Sequence, residues 1–268
     1  MSRPRMRTAL VASALVLLAA CGGGDDDDSS TGAAAGGLQL VSSGKLTTCT
    51  HLPYPPFQFE EDGEVTGFDV ELMDLVAEKL GVQQEIVDTP FETIKTGADL
   101  NAGKCDVAAA GMTITEERKA NLDFSVPYFD ATQALLAKKG SGITSLDDAK
   151  SRRFGSQSAT TGEDYVKAAG VDPVSFETSD AELNGLKSGQ VDVIVQDLPV
   201  VSGWLKDPAN AAFEVVANLD TGEQYGFAVK KGGAPELLRT IDEVITTARS
   251  DGAYDALYAK WIGVEAAG

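Results

Sequence analysis

The chain lacks most of what metal or nucleophile chemistry requires. It has a single histidine, His51, and no Cys-x-x-Cys pair, so neither a metal site nor a resident cofactor is expected. No Gly-x-Ser-x-Gly elbow occurs either, which removes one common hydrolase nucleophile. Basic residues are scarce, with 22 Lys and Arg against 41 Asp and Glu and a net charge of −19. Nothing in that balance forms a basic stripe, and nucleic acid is not expected as a partner. The longest early apolar run, Ala9 to Ala20, is too short and too rich in small residues for a membrane-spanning helix.

What is present begins with an export pattern. Arg3, Arg5 and Arg7 precede the apolar run, which ends Leu18-Ala-Ala-Cys21. This resembles a bacterial lipoprotein signal, with residues 1–20 removed and Cys21 lipidated; an ordinary secretory peptide with a chance cysteine is the alternative. Residues 21–37, mostly Gly, Ala, Ser and four consecutive aspartates, cannot bury a core and read as a flexible tether. Removing the signal takes the charge to −22. The remaining thiols, Cys49 and Cys105, form an even pair in an exported chain, which favours a disulfide. Both fall in expected strands, so a bridge requires those strands to be neighbours; two buried free thiols are the other reading.

From Leu38 onward, about 230 residues suffice for one domain or two small lobes. The pattern alternates strand and helix. Lys45 to Thr50 reads as a strand, Phe68 to Leu80 as an amphipathic helix stopped by Gly81, Gln84 to Asp88 as a strand, and about Phe91 to Asn101 as a helix. Asp106 to Ala110 is a short apolar run of the kind buried on both faces of a parallel sheet. The alternation restarts with strand Phe154 to Gln157, helix Gly162 to Ala169, strand Val174 to Glu177, helix Asp180 to Ser188 and strand Val191 to Val195. Such crossovers predict an α/β fold with parallel sheets. An internal echo supports two lobes of like build: Leu100, Gly103, Asp106 and Val107 recur as Leu186, Gly189, Asp192 and Val193 at the same offsets.

Ligand sites in open α/β sheets lie beyond strand ends. Gly111 follows one such end, with Thr113, then Thr115 as N-cap of a helical turn carrying Arg118. A guanidinium placed there suits a carboxylate, which its planar fork grips with two hydrogen bonds; alternatively Arg118 is a surface charge paired with Glu117 or Asp123. Five residues past Asp192 comes Asp197, an anion at the equivalent strand end. In the second half, Thr161 reads as the N-cap of a helix with Asp164 capping in return, an arrangement that welcomes an anion or serves as a plain capping box.

Gly67-Phe-Asp-Val-Glu-Leu72, followed by Val76, Ala77 and Leu80, resembles the signature of family 3 solute-binding proteins, the polar amino-acid receptors of bacterial ABC importers. The resemblance runs from about Lys45 to Gly263. It includes Tyr54-Pro-Pro-Phe57, the stretch Gly111 to Arg118, Asp123 to Tyr128, Gln157 to Thr161, Val195 to Asp197 and Tyr225-Gly226. It implies a type II periplasmic-binding-protein fold. Two α/β lobes, each a mainly parallel sheet flanked by helices, are joined by two crossover strands and close over one ligand. By the same resemblance, Arg118 with Thr113 and Thr161 takes the ligand α-carboxylate, and Asp197 with the Gly111 carbonyl takes the α-ammonium.

Side-chain selectivity is expected from His51 and Tyr54, from Phe91, and from Gln157 or Gln196, with Tyr54 and Phe91 sandwiching the ligand or simply packing in the core. Relatives for cationic or amide ligands commonly carry an acid where this chain has His51. A neutral polar or acidic amino acid, glutamine or glutamate first, is therefore expected. The lobes are expected to comprise 38–130 with 226–268, and 131–225, with hinges near 128–132 and 221–225. The expected setting is outside the cytoplasm, in the periplasm where an outer membrane exists. There the chain is a monomer held to the cell membrane by lipid alone and delivers free amino acid to an ABC permease. The competing reading is an exported enzyme on the same scaffold, a cyclohexadienyl dehydratase using His51 as acid or base. Against it stands the lack of a second titratable partner spaced to orient that histidine.

Overall fold

A computed structural model describes residues 38–263. The expected signal 1–20, the expected tether 21–37 and Cys21, the expected lipidation site, lie outside the described residues. In the first half, strands β1 (Lys45–Thr50), β2 (Phe59–Glu61), β3 (Glu64–Thr66), β4 (Gln83–Asp88), β5 (Val107–Ala108) and β6 (Leu122–Phe124) alternate with helices α1 (Phe68–Leu80), α2 (Phe91–Lys95), α3 (Ala98–Asn101) and α4 (Glu116–Lys119). The chain crosses over on β7 (Phe129–Lys138). It then builds α5 (Leu146–Ala149), β8 (Phe154–Gln157), α6 (Thr161–Ala168), β9 (Val174–Phe176), α7 (Ser179–Ser188), β10 (Val193–Asp197) and α8 (Leu198–Lys206). It returns on β11 (Phe213–Tyr225) and ends with β12 (Ala228–Lys230), α9 (Pro235–Asp251) and α10 (Ala253–Trp261). Among the described residues no helix is long and apolar enough to cross a membrane.

Two five-stranded sheets result, ordered β4-β1-β5-β12-β6 and β11-β7-β10-β8-β9. In each, three strands of the alternating run are parallel and two further strands add antiparallel. Helix α1 buries Val70, Leu72, Met73, Val76, Ala77 and Leu80 against the first sheet, and left-handed Gly81 stops it. Two expected elements come out shorter. The helix from Phe91 breaks into α2 and α3 because Gly97 turns left-handed at φ +75°, close against Asn121 and Leu122. The strand at Asp106 to Ala110 keeps only Val107 and Ala108, since the chain turns away at Gly111.

The internal echo has a structural cause. Asp106 accepts hydrogen bonds from the amides of Thr47 and Val41, and its own amide donates to Thr47 O. Asp192 likewise accepts from the Arg153 amide and donates its own amide to Arg153 O. Each aspartate thus pins the third strand of its lobe beside the first, and Gly103 and Gly189 both turn left-handed just before it. The same device sets both strand ends, and five residues beyond the aspartates stand Gly111 and Asp197.

The crossover strands run side by side, with Phe129 opposite Tyr225, and are buttressed by aromatic rings. Tyr128 stacks on Phe227 at 4.1 Å between centroids, and Phe57 packs edge-on against Phe129 and Tyr225. Cys49 in β1 and Cys105 just before β5 are bonded, with Cα atoms 5.6 Å apart. Neighbouring strands bring them together, as the bridge requires. The bridge lies beneath the two strand ends that carry His51 and Gly111. Because it closes a loop across a sequence separation of 56, replacing both cysteines with alanine should cost about 4 kcal/mol of unfolding free energy. Urea denaturation of the oxidised protein and the double variant checks this; equal midpoints would show that the bridge does not stabilise the fold.

Candidate functional site

The strand ends of both sheets meet at a cleft lined by residues of both lobes. All ten residues singled out from the sequence line it: His51, Tyr54, Phe91, Gly111, Thr113, Arg118, Gln157, Thr161, Gln196 and Asp197. Sequence reasoning left out Gln58, Ala110 and Thr160, which line it too.

Arg118 reaches the cavity because Thr115 caps the turn of α4, accepting the Arg118 amide at 3.1 Å. Its side chain folds back, donating to Thr113 O at 2.8 Å and, across the cleft, to Ala159 O at 3.3 Å, while the guanidinium lies over the Phe91 ring. The group is 6% exposed, yet among the described residues no carboxylate comes within 4.0 Å of it. The alternative of a surface pair with Glu117 or Asp123 is thereby set aside; Asp123 is taken by Lys231. Burial lowers the Arg118 pKa, and the fields of Glu223, Asp164, Asp197 and Glu117 act the other way, so the guanidinium stays charged.

Asp197 presents the opposite case. It ends β10 fully within the protein, accepting hydrogen bonds from the hydroxyls of Tyr54 and Tyr225 and from the amide of Gln133. Burial pushes its carboxyl up to about 6, which those three donors only partly offset. No cation lies within 4.0 Å of it among the described residues. Gln133 and Glu223 were not anticipated. The signal for Gln133 was a polar residue interrupting the buried run of β7; Glu223, half-buried on β11, shares the Gln133 amide at 3.0 Å.

Local geometry holds these groups still. Gly111 is left-handed at φ +54°, and a Cβ there would stand 2.9 Å from the Tyr54 ring, so only glycine fits. Its amide donates to Asp69, which also accepts the Tyr128 hydroxyl, so one buried carboxylate ties the turn to the start of the crossover. Burial raises Asp69 to about 7. At the start of α6 the capping differs from expectation. Thr160, not Thr161, is the N-cap, and Glu163, not Asp164, returns the bond by accepting the Ala159 amide. The one-residue shift frees the Thr161 hydroxyl to face that of Thr113 at 3.4 Å.

Among the described residues the remaining wall holds no Asp, Glu, Lys or Arg. Gln196 spends its amide on Glu182 and Gln157 and its carbonyl on Tyr54 and the Asp197 amide, so it orients Asp197 and is not free for another partner. Glu182 beneath it is buried, with its pKa well above the ordinary carboxylate range. His51 sits between two carbonyls, Nδ1 3.0 Å from Thr89 O and Nε2 3.2 Å from Glu177 O. Tyr54 and Phe91 each attend one charge, Tyr54 through its hydroxyl on Asp197 and Phe91 through its ring under Arg118. Among the described residues no cluster of three or more His, Cys, Asp or Glu could hold a metal ion.

Two α/β lobes with opposite buried charges at one cleft define a small-molecule receptor of the type II binding-protein class. The comparisons agree. The model of bacterial extracellular solute-binding proteins, family 3, matches residues 46–264, and the chain belongs to that family. A probable histidine-binding protein of Neisseria gonorrhoeae is 33% identical over 79% of this chain and 81% of its own. The glutamine-binding protein GlnH of a Bacillus subtilis ABC transporter is 35% identical over 75% and 74%. Among solved structures, an ancestral arginine-binding protein bound to arginine superposes with a TM-score of 0.77 at 42% identity, covering 82% of this chain and 99% of that one.

The raised carboxyls make a stability prediction. A folded-state pKa above the unfolded value of about 3.9 means tighter proton binding in the native state. Asp197 therefore stabilises the fold below that value and loses the contribution as pH rises through about 6. Without added ligand, Asp197→Asn should melt higher than the parent at pH 8, keep only part of that advantage at pH 5, and lose it below about pH 4. Calorimetry across these values checks it, and a pH-independent difference would contradict the burial argument.

Proposed function

We propose that this protein is an extracytoplasmic receptor that closes over one free α-amino acid, with glutamine or glutamate favoured, and presents it to the permease of an ABC importer. The observation that carries this reading is the pair of uncompensated charges on one cavity. Among the described residues, Arg118 is buried with no carboxylate within 4.0 Å and Asp197 is buried with no cation within 4.0 Å. A zwitterion supplies both missing partners at once, its acid to Arg118, Thr113 and Thr161 and its ammonium to Asp197 and the Gly111 carbonyl. Binding favours the closed form because these contacts exist together only when the lobes meet. The lobes are taken as 38–130 with 226–268, and 131–225.

Ligand choice follows from the rest of the wall. Gln58 and Gln157 offer amide groups beside the His51 ring, and among the described residues Asp197 is the one carboxylate lining the cavity, so a cationic side chain would find no second anion in the lining. The Gln58 carbonyl oxygen is buried without a partner, an acceptor suited to a side-chain amide. An enzyme reading is disfavoured because both ring nitrogens of His51 rest on backbone carbonyls and no titratable side chain orients the ring. The receptor acts as a monomer, held to the membrane through lipid on Cys21.

A thermal-shift screen against the common amino acids tests the proposal, since a ligand that binds only the native state raises the melting temperature. Glutamine or glutamate should give the largest shift. Arg118→Ala should weaken every positive by about a hundredfold or more, the loss of charge-assisted hydrogen bonds to a carboxylate. Arginine as the tightest ligand would overturn the ligand choice, and undiminished binding by a folded Arg118→Ala protein would overturn the site.

A further inference from the structure

The loop after β1 is gripped by the opposite lobe along its length. His51 meets Glu177 O, the Pro53 carbonyl accepts from the Ser179 hydroxyl at 3.0 Å, and the Tyr54 hydroxyl donates to Asp197 at 2.6 Å with Gln196 Oε1 2.9 Å away. His51 and Tyr54 line the ligand cavity, but neither Pro53 nor Ser179 does. Ser179 opens α7, yet capping of that helix falls to Thr178, which accepts the Ala181 amide at 3.1 Å. The Ser179 hydroxyl is therefore spared for the other lobe, and it is fully buried there. Pro53 follows β1 of the first sheet and Ser179 follows β9 of the second, so the bond forms only when the lobes touch.

We infer that the Ser179–Pro53 hydrogen bond is a clasp that sets the affinity of this receptor by biasing the open–closed equilibrium, for every ligand alike and without touching any of them. The inference rests on the receptor reading above. Observed affinity is the intrinsic affinity of the closed form scaled by the fraction of molecules that are closed. A buried bond made only on closure raises that fraction several-fold. Selectivity is untouched, because the residues that distinguish one side chain from another lie elsewhere. His51 contributes less dependably, since a neutral imidazole can donate to Thr89 O or to Glu177 O but not to both.

The test is Ser179→Ala, which keeps the Thr178 cap and removes one hydroxyl. Calorimetry and stopped-flow binding with each amino acid that the parent binds should show affinity reduced about three- to tenfold. The factor should be the same for each ligand and should reside in the dissociation rate. Spin labels on the two lobes should report a ligand-free population shifted towards the open form, and Ser179→Cys, a weaker donor, should fall between. Unchanged affinity, or losses that reorder the ligands, would overturn the clasp while leaving the receptor reading intact. A parent protein that binds no amino acid would overturn both.

Discussion

Two opposite charges are kept out of water in one cleft and are not allowed to neutralise each other. Removing a guanidinium or a carboxylate from water is costly, and the protein offsets that cost with dipoles instead of a counter-ion. Carbonyls of Thr113 and Ala159 and the face of Phe91 hold Arg118; two tyrosine hydroxyls and the Gln133 amide hold Asp197. Had the two been paired directly, the cleft would be electrically satisfied and indifferent to a zwitterion. Separated, each is supported well enough to stay folded and poorly enough to favour a better partner.

That constraint explains why so much of the surrounding structure consists of hydrogen-bonded polar groups where packing alone would use apolar ones. Gln196 is fully spent on orienting Asp197, and Asp69 is spent on the Gly111 turn and Tyr128. Each is a buried polar group whose partners fix one rotamer, so the site is ordered before anything enters it. The disulfide under β1 and β5 serves the same end from below, since those strands deliver His51 and Gly111 to the cleft.

The crossover strands link this site to motion. Tyr225, at the end of β11, donates its hydroxyl to Asp197, bridges Thr113 through its backbone and pairs with Phe129 at the start of β7. A rotation of one lobe on the other would pass through a residue that touches Asp197 directly and Arg118 only through Thr113, whose carbonyl accepts from the guanidinium.

Much of this was written along the chain. Periodicity determined α1 and β1 to the residue, because an amphipathic helix bounded by two glycines and a buried strand are local properties. The repeated Leu-Gly-Asp-Val spacing marked two equivalent strand ends, because an aspartate pinning a neighbouring strand needs the same short geometry each time. Arg118 and Asp197 were legible as charges placed after apolar strands. Tertiary structure alone decided the rest. Gln133 reaches Asp197 from a strand 64 positions away in sequence, and Glu223, 26 positions beyond Asp197, meets it only through the same Gln133 amide; no local pattern encodes such a meeting. The cap of α6 moved by one residue because Thr113, on the other lobe, faces the Thr161 hydroxyl while Glu163 reaches back to Ala159. Side-chain types and their spacing are chemical facts of the chain, whereas which of them share one dry cavity depends on how the two sheets come together.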